Sequence, residues 1–132
     1  MAVSVAGIIV DDDKILIARR LPGGDLGGKW EFPGGKAEEG ETDTQTLIRE
    51  FYEEFSVTVK IGPLLGESSF EHHGITRTLR AYRVYLPPEP LKLNEHSEWR
   101  FAALAEIETL DFAPSDLKLL PFLKKQGIVL SL

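Results

Sequence analysis

The most constraining feature of this chain is residues 35–54, where acidic side chains recur at fixed spacing around one arginine. Arg49 is followed by Glu50, Glu53 and Glu54, at i, i+3 and i+4 of a predicted helix, so the three carboxylates project from one helical face. Like charges this close repel each other by roughly a few tenths of a kcal/mol per pair, and no lysine is interleaved among them. The pattern therefore predicts a helix whose edge binds a divalent cation.

The limits of this helix are readable from its capping residues. Thr42 and Gln45 have the three-residue spacing of a capping box, which predicts a helix from about Asp43 to Phe55. Apolar residues at helical spacing then form the stripe expected to pack on the core: Leu47, Ile48, Phe51 and Phe55. The glutamates fall on the adjoining edge, so the same helix is expected to serve packing and chemistry.

The rest of the chain alternates between strands and breakers. The apolar runs 3–10 and 14–19, joined by three aspartates, predict a hairpin, and the glycine-rich residues 21–29 predict a loop near a ligand. We predict further extended segments over residues 30–32, 57–61, 64–70, 75–86 and 99–103. Helices are expected over 105–110 and 115–125, with Pro121 as a kink or boundary, while residues 128–132 fit an edge strand or an unstructured end.

Length and composition exclude several classes of protein. The 132 residues suit a single domain, 1–132, with its own core, and no apolar run is long enough to cross a bilayer. The chain has no cysteine, and Met1–Val5 lacks the features of a secretory signal, so we expect a cytoplasmic protein without a membrane partner. A net charge of −6 argues against binding long nucleic acid but leaves small anions carried with Mg²⁺. We expect a monomer or homodimer.

The acidic segment resembles the signature of the Nudix hydrolases, G-x5-E-x7-R-E-U-x-E-E-x-G-U, where U is a bulky aliphatic or aromatic residue. The match runs from Gly35 through Glu41 and Arg49 to Val57, with Ser56 standing where the family has glycine. A serine forced to positive φ there would cost on the order of 1 kcal/mol, which bears on the helix end and not on the metal ligands. The surrounding residues look most like the MutT branch, the small nucleoside triphosphate pyrophosphohydrolases.

The resemblance implies a fold, a metal and a reaction. The fold is an α/β class Nudix-type α/β/α sandwich with a mixed curved β-sheet. The cofactor is Mg²⁺, for which Mn²⁺ can substitute, since oxygen ligands suit these ions. The reaction is attack by a metal-activated water on an internal phosphorus of a nucleoside polyphosphate, which releases a nucleoside monophosphate and pyrophosphate. The residues that the resemblance assigns to the metal are Gly34 through its main-chain carbonyl, Glu50, Glu53, Glu54 and, from a downstream loop, Glu98.

Catalytic and substrate-binding roles follow from the same resemblance. Glu53 is the first choice as general base and Glu98 the second, whereas Arg49 is expected to pair with Glu41 or a helix carboxylate and so orient the cluster. Substrate-binding roles fall to residues around the predicted cleft: Arg20, Trp30, Phe32, Gly35, Lys36 and Asp116.

Several of these assignments have a competing interpretation. Arg20 and Glu98 are also compatible with solvated surface charges. Trp30 and Phe32 are also compatible with aromatic residues of the core. Ser115 or Asp116 is also compatible with a cap of the last helix. Asp116 as a base reader would accept from an exocyclic amine or, if protonated, donate. An aspartate in place of the asparagine associated with 8-oxoguanine readers argues against that substrate and leaves cytosine nucleotides open.

His72 and His73 are expected to be turn residues rather than a ligand pair, because adjacent strand side chains point apart.

Two other functions fit the same residues. One is a Nudix hydrolase of another diphosphate, such as a dinucleoside polyphosphate, an ADP-sugar or an RNA 5′ end. The other is a non-catalytic nucleotide-binding module of the same fold, although such modules tend to lose the signature glutamates, which this chain keeps.

Overall fold

The computed structural model describes residues 2–125, which form two four-stranded sheets and four helices. Residues 128–132, for which the sequence left two possibilities, lie outside this range. The strands are β1 Val3–Ile8, β2 Val10–Asp11, β3 Lys14–Arg20, β4 Trp30–Glu31, β5 Gly34–Lys36, β6 Lys60–His72, β7 Ile75–Tyr85 and β8 His96–Ala102. The helices are α1 Asp43–Phe55, α2 Leu104–Ile107, α3 Pro114–Leu117 and α4 Leu120–Lys125.

The first sheet is mixed and has the order β5-β1-β7-β6. β1 runs parallel to β7 and antiparallel to β5, which places Gly34 opposite Ala6 and Gly35 opposite Val5. β6 and β7 form a long antiparallel hairpin, whose turn at His73 and Gly74 has positive φ at both residues. Because β5 lies at the edge of this sheet and leads towards α1, the glycine turn is held against the acidic helix.

The second sheet is built around β3. One edge of β3 pairs with β8 from Ile15 to Arg20, and the other pairs with β2 at its start and β4 at its end. Asp12, with φ of 56°, forms the tight turn between β2 and β3. This arrangement places the ends of β3 and β4 and the beginning of β8 side by side, next to the C-terminal end of α1.

Two buried clusters lie on opposite sides of the sheets. Alternate residues of β3 divide between them: Ile15 and Ile17 pack with the α2–α4 side, and Leu16 and Ala18 pack with α1. The predicted α/β sandwich with helices on both sides and a mixed sheet is therefore confirmed, with the strands divided between two sheets.

Some predicted boundaries are wrong. The run 3–10 is not one hairpin strand, because β1 joins the first sheet and only β2 forms the hairpin with β3. Residues 57–61 and 64–70 do not form two strands either, since β6 continues through irregularities near Leu64. The predicted helix 115–125 is divided into α3 and α4, and Pro121 lies in the first turn of α4, where its missing N–H costs no hydrogen bond. Each described helix is too short or too polar to cross a membrane.

Candidate functional site

The acidic helix has the predicted limits and the predicted cap. The Thr42 side chain accepts from the Gln45 backbone N–H, and the Gln45 side chain accepts from the Thr42 N–H, so the capping box is complete. The first helical residue, Asp43, accepts from Arg80 and the Tyr82 hydroxyl, both on β7. The start of the helix is therefore fixed to the first sheet. Of the four residues predicted for the apolar stripe, Ile48 alone is not buried, since it is 36% exposed.

Residues that precede β8 form hydrogen bonds to the C-terminal end of α1. Ser56 takes the left-handed conformation predicted from its place in the signature, with φ of 59°. Asn94 donates from its backbone N–H to the Glu54 carbonyl and from its side chain to the Glu53 carbonyl, and Lys92 N–H donates to the Phe55 carbonyl. These bonds satisfy carbonyls that a helix end leaves unpaired, and they bring the next residue, Glu95, against α1.

Three carboxylates meet at this point: Glu50, Glu54 and Glu95, with one oxygen of each lying within 4.8 Å of the others. Glu54 is only 4% exposed, and its Oε1 is buried without a hydrogen-bond partner among residues 2–125. An isolated buried carboxylate is costly unless it is neutralised or coordinates a cation. The three oxygen donors fit a hard divalent cation, which would satisfy Glu54.

Burial and the repulsion between neighbouring carboxylates both favour the protonated forms of Glu50 and Glu54. Burial, followed by the negative charges of Glu31, Glu50 and Glu95, raises the pKa of Glu54 to about 10. Burial also raises the pKa of Glu50, although Arg49 opposes the rise. In the metal-free protein Glu54 is therefore protonated at neutral pH, and a bound cation must displace that proton.

Arg49 holds the opposite side of the cluster, as predicted. Its guanidinium donates to both oxygens of Glu41, at 2.7 and 3.0 Å, to Glu50 at 2.9 Å, and to the main-chain carbonyl of Lys36 at 3.1 Å. The hydrogen bonds from Arg49 lower the pKa of Glu41 to about 2, so this carboxylate stays ionised. A bidentate pair of this kind fixes the orientation of the arginine, which in turn fixes Glu50.

The packing around Gly34 and Gly35 leaves no room for a side chain at either position. Gly34 has a φ of 151°, and a Cβ there would overlap the carbonyl oxygen of Val5 on β1. A Cβ on Gly35 would overlap the carboxylate of Glu50. β5 therefore lies against the cluster, and the carbonyl of Gly34 stays a predicted ligand.

Two predicted ligands lie outside the group of three carboxylates. Glu53 is half exposed and pairs with Arg49 at 3.2 Å. Glu98 is on β8, opposite Arg19, and pairs with that arginine at 3.4 Å. The downstream carboxylate that joins Glu50 and Glu54 is Glu95, so the assignment of Glu53 and Glu98 as ligands stays a prediction without support from this geometry.

A chain of polar contacts borders the cluster. His96 Nε2 lies 2.8 Å from Glu31 Oε2, and Arg20 donates to Glu31 Oε1 at 3.2 Å. The imidazole of His96 stacks parallel on Phe55 of α1, with ring centroids 5.6 Å apart. Arg20 is thus held beside the carboxylates.

A second cavity opens on the other side of Arg20 and Glu31. It encloses about 690 Å³ of empty space including its open mouth, and Phe32, Lys36 and Asp116 are among its lining residues. A smaller polar cavity, lined by Glu54 and Glu95, shares Arg20 and Glu31 with it. The two cavities are therefore neighbours, one mostly apolar and one acidic.

Asp116 is buried in the wall of the larger cavity and accepts from the backbone N–H of Phe32 at 2.9 Å. Burial, reinforced by the charge of Glu31, raises its pKa to about 7. The helix-cap interpretation is wrong, because Ala113 is the N-cap of α3 and no side chain caps that helix. The Phe32 ring packs edge-on against Phe112, so its main chain is what meets Asp116.

Trp30 does not face the larger cavity, and its predicted role in base stacking is corrected. It is 7% exposed within the core, with Arg100 above its ring at 5.1 Å. Its backbone bonds to Asp111 and Ala113 tie β4 to the segment before α3. Alternation along β4 and the following residue places Trp30 and Phe32 in the core, on the same side as α3.

The sequence reasoning missed Glu31, Glu95 and His96. The sequence analysis predicts Glu98 and not Glu95, which directly precedes β8. Only the hydrogen bonds from Asn94 to α1 single out Glu95, and they depend on a long-range contact.

The sequence matches the NUDIX domain over residues 1–123. It is 37% identical over 115 residues to the putative 8-oxo-dGTP diphosphatase 2 of Mycobacterium tuberculosis, a match that covers 85% of this chain and 80% of the relative. It is 35% identical to the CTP pyrophosphohydrolase of Escherichia coli, over 88% and 86% of the two chains. The solution structure of the E. coli ORF135 protein aligns with a TM-score of 0.82 at 34% identity, over 95% of this chain and 89% of that protein. The chain belongs to the NUDIX family.

Proposed function

We propose that this protein hydrolyses nucleoside triphosphates to nucleoside monophosphates and pyrophosphate, with Mg²⁺ held by Glu50, Glu54 and Glu95. The observation that carries the proposal is the adjacency of the acidic cavity and the larger apolar cavity, with Arg20 and Glu31 between them. A triphosphate is strongly anionic, so cations between the carboxylates and the phosphates are needed for binding. The names of the relatives in M. tuberculosis and E. coli support the same activity.

The metal supplies positive charge opposite the phosphates and lowers the pKa of a water, which are the main requirements of this reaction. The side chains of this chain supply position and proton acceptance. Arg49 orients Glu50 through the bond at 2.9 Å, and Arg20 is placed to contact a phosphate. Both predicted bases pair with an arginine, Glu53 with Arg49 and Glu98 with Arg19. Glu53 is the better supported of the two because it lies on α1, the helix that carries Glu50 and Glu54. Lys36 and the Gly34 carbonyl keep their predicted roles.

The preferred base is proposed to be cytosine. One oxygen of Asp116 accepts from Phe32 N–H, and the second oxygen, when the carboxyl is ionised, is suited to accept from the exocyclic amine of cytosine. Uracil has a carbonyl at the position of that amine. Two hydrogen-bond acceptors, the uracil carbonyl and the Asp116 carboxylate, would then face each other. A site that hydrogen-bonds a substrate group discriminates strongly against an analogue that lacks it.

The test is a panel of CTP, dCTP, UTP, GTP, 8-oxo-dGTP, ADP-ribose and a dinucleoside polyphosphate, each with Mg²⁺, with pyrophosphate and phosphate measured separately. We expect pyrophosphate from triphosphates and a kcat/KM for CTP that exceeds the value for UTP by about 100-fold or more at alkaline pH. Asp116→Asn, which can present an amide N–H, should narrow that ratio. Equal rates on CTP and UTP would contradict the base assignment alone.

Variants separate the catalytic assignments. Glu54→Gln should reduce turnover by about 100-fold or more, whereas Glu89→Gln, on an exposed loop, should not change it. Glu53→Gln and Glu98→Gln compare the two predicted bases, and the larger loss identifies the better candidate. Release of phosphate without pyrophosphate, or cleavage of ADP-ribose alone, would refute the proposed reaction. The cytoplasmic location and the monomeric or dimeric state stay predictions.

A further inference from the structure

Two imidazoles and a carboxylate meet beside the larger cavity, whose lining includes His72, and none of the three belongs to the glutamate cluster. His72 ends β6, His73 begins the turn, and Asp25 comes from the glycine-rich loop. The expectation that the two histidines point apart is wrong, because His73 has φ of 52°, which brings the two rings to 4.1 Å between centroids. One ligand atom from each of the three residues lies within 4.8 Å of the other two.

The distances suit a small transition-metal ion. Two ligands on a tetrahedral ion, at bonds of about 2.0–2.1 Å, lie roughly 3.4 Å apart. The distance between His73 Nε2 and Asp25 Oδ2 is 3.4 Å. The side chains of His73 and Asp25 are 72% and 71% exposed, so water can complete the coordination and the ion has a path of entry.

The donor set distinguishes this cluster from the glutamates. Imidazole nitrogen favours Zn²⁺, Cu²⁺ and Ni²⁺, whereas Mg²⁺ favours carboxylate oxygen and water. An excess of Mg²⁺ therefore occupies Glu50, Glu54 and Glu95 without competing effectively for His72 and His73.

We propose that Asp25, His72 and His73 form a second metal site, which takes Zn²⁺ or a similar imidazole-preferring divalent ion. The ion would join the glycine-rich loop to the β6–β7 turn. Leu26, next to Asp25, and His72 both line the larger cavity, so the ion fixes part of its rim. The site does not depend on the proposed hydrolysis, since binding is measurable without any nucleotide.

The test is calorimetric titration of the intact chain with Zn²⁺ in saturating Mg²⁺, together with the visible spectrum of the Co²⁺ complex. We expect a single Zn²⁺ per chain, with affinity weakened by about tenfold or more in Asp25→Asn, His72→Ala and His73→Asn. Asparagine at position 73 tolerates the positive φ, so the turn is retained. Glu71→Gln, the exposed neighbour of His72, is the matched control and should bind like the parent.

Two further readouts distinguish this site from the carboxylate cluster. Glu54→Gln should keep Zn²⁺ binding while it loses its response to Mg²⁺. Hydrogen exchange of backbone amides in residues 21–29 and 72–74 should slow with Zn²⁺ in the parent and not in His72→Ala. The proposal is overturned if Zn²⁺ fails to bind in excess Mg²⁺, if His72→Ala and Asp25→Asn bind Zn²⁺ like the parent, or if Glu54→Gln abolishes the binding.

Discussion

Glu54→Gln is expected to stabilise the metal-free protein while it abolishes the stabilisation by Mg²⁺. Glu54 is buried among the charges of Glu31, Glu50 and Glu95, and the pKa of its carboxyl is raised from 4.5 to about 10. Glutamine has nearly the same shape and is neutral at every pH. It therefore removes the cost of protonating the glutamate without opening a cavity, and it removes a metal ligand.

The magnitude follows from the difference in proton binding between the folded and unfolded chains. Below the unfolded pKa of 4.5 both forms are protonated and the two proteins should differ little in stability. Above it the unfolded chain is ionised while the folded chain keeps its proton, so folding stability falls by about 1.4 kcal/mol per pH unit until the folded pKa is reached. At about pH 7.5 the cost is about 4 kcal/mol as an upper limit, and at about pH 5 it is below about 1 kcal/mol.

The assay is urea unfolding followed by tryptophan fluorescence, with a chelator present, at these two pH values. We expect Glu54→Gln to exceed the parent clearly at the higher pH and to match it closely at the lower one. Saturating Mg²⁺ should then raise the stability of the parent and leave the variant unchanged. Glu89→Gln is the matched control. An equal stability of parent and variant at both pH values, or an equal effect of Mg²⁺ on both, would refute the reasoning about a buried, cation-binding carboxylate.

Two further predictions concern the support of the cluster. In Arg49→Lys the lysine cannot make the paired bonds to Glu41 and also reach Glu50. We therefore expect Mg²⁺ affinity, measured from the metal dependence of kcat/KM, to fall by about 10- to 100-fold. An unchanged metal dependence would exclude the positioning role of Arg49. Gly35→Ala should displace Glu50 and weaken Mg²⁺ binding with little loss of stability, whereas Gly34→Ala should disrupt the β1–β5 pairing and lower the unfolding midpoint. Calorimetry and thermal unfolding of both variants check this contrast, which fails if the two glycines behave alike.

Features that depend on neighbouring residues were predictable from the sequence. The capping box fixes the start of α1 at Asp43, and the signature position of Ser56 indicated the left-handed residue that ends it. The sequence analysis also predicted that Arg49 pairs with Glu41 or a helix carboxylate, and the arginine bonds both Glu41 and Glu50. Each of these features rests on contacts between residues close in the chain.

Features that depend on contacts between residues distant in the chain were not predictable from the sequence. The resemblance indicates Glu98 as the downstream acid, whereas the hydrogen bonds between Asn94 and the end of α1 bring Glu95 to the cluster. Asp116 looked like a helix cap or a base reader. Ala113 is the N-cap of α3 without a side-chain cap, and the Asp116 carboxylate accepts instead from the Phe32 N–H, across more than eighty residues.

The sequence by itself determined the acidic helix and its caps, because local hydrogen bonds and helical periodicity set these, and it predicted a divalent cation at the helix edge. The tertiary structure decided which carboxylates meet, that Trp30 is buried and that Glu54 has a raised pKa. Burial and long-range proximity are properties of the packed chain, and no local pattern specifies which residues far apart in sequence will share one cavity.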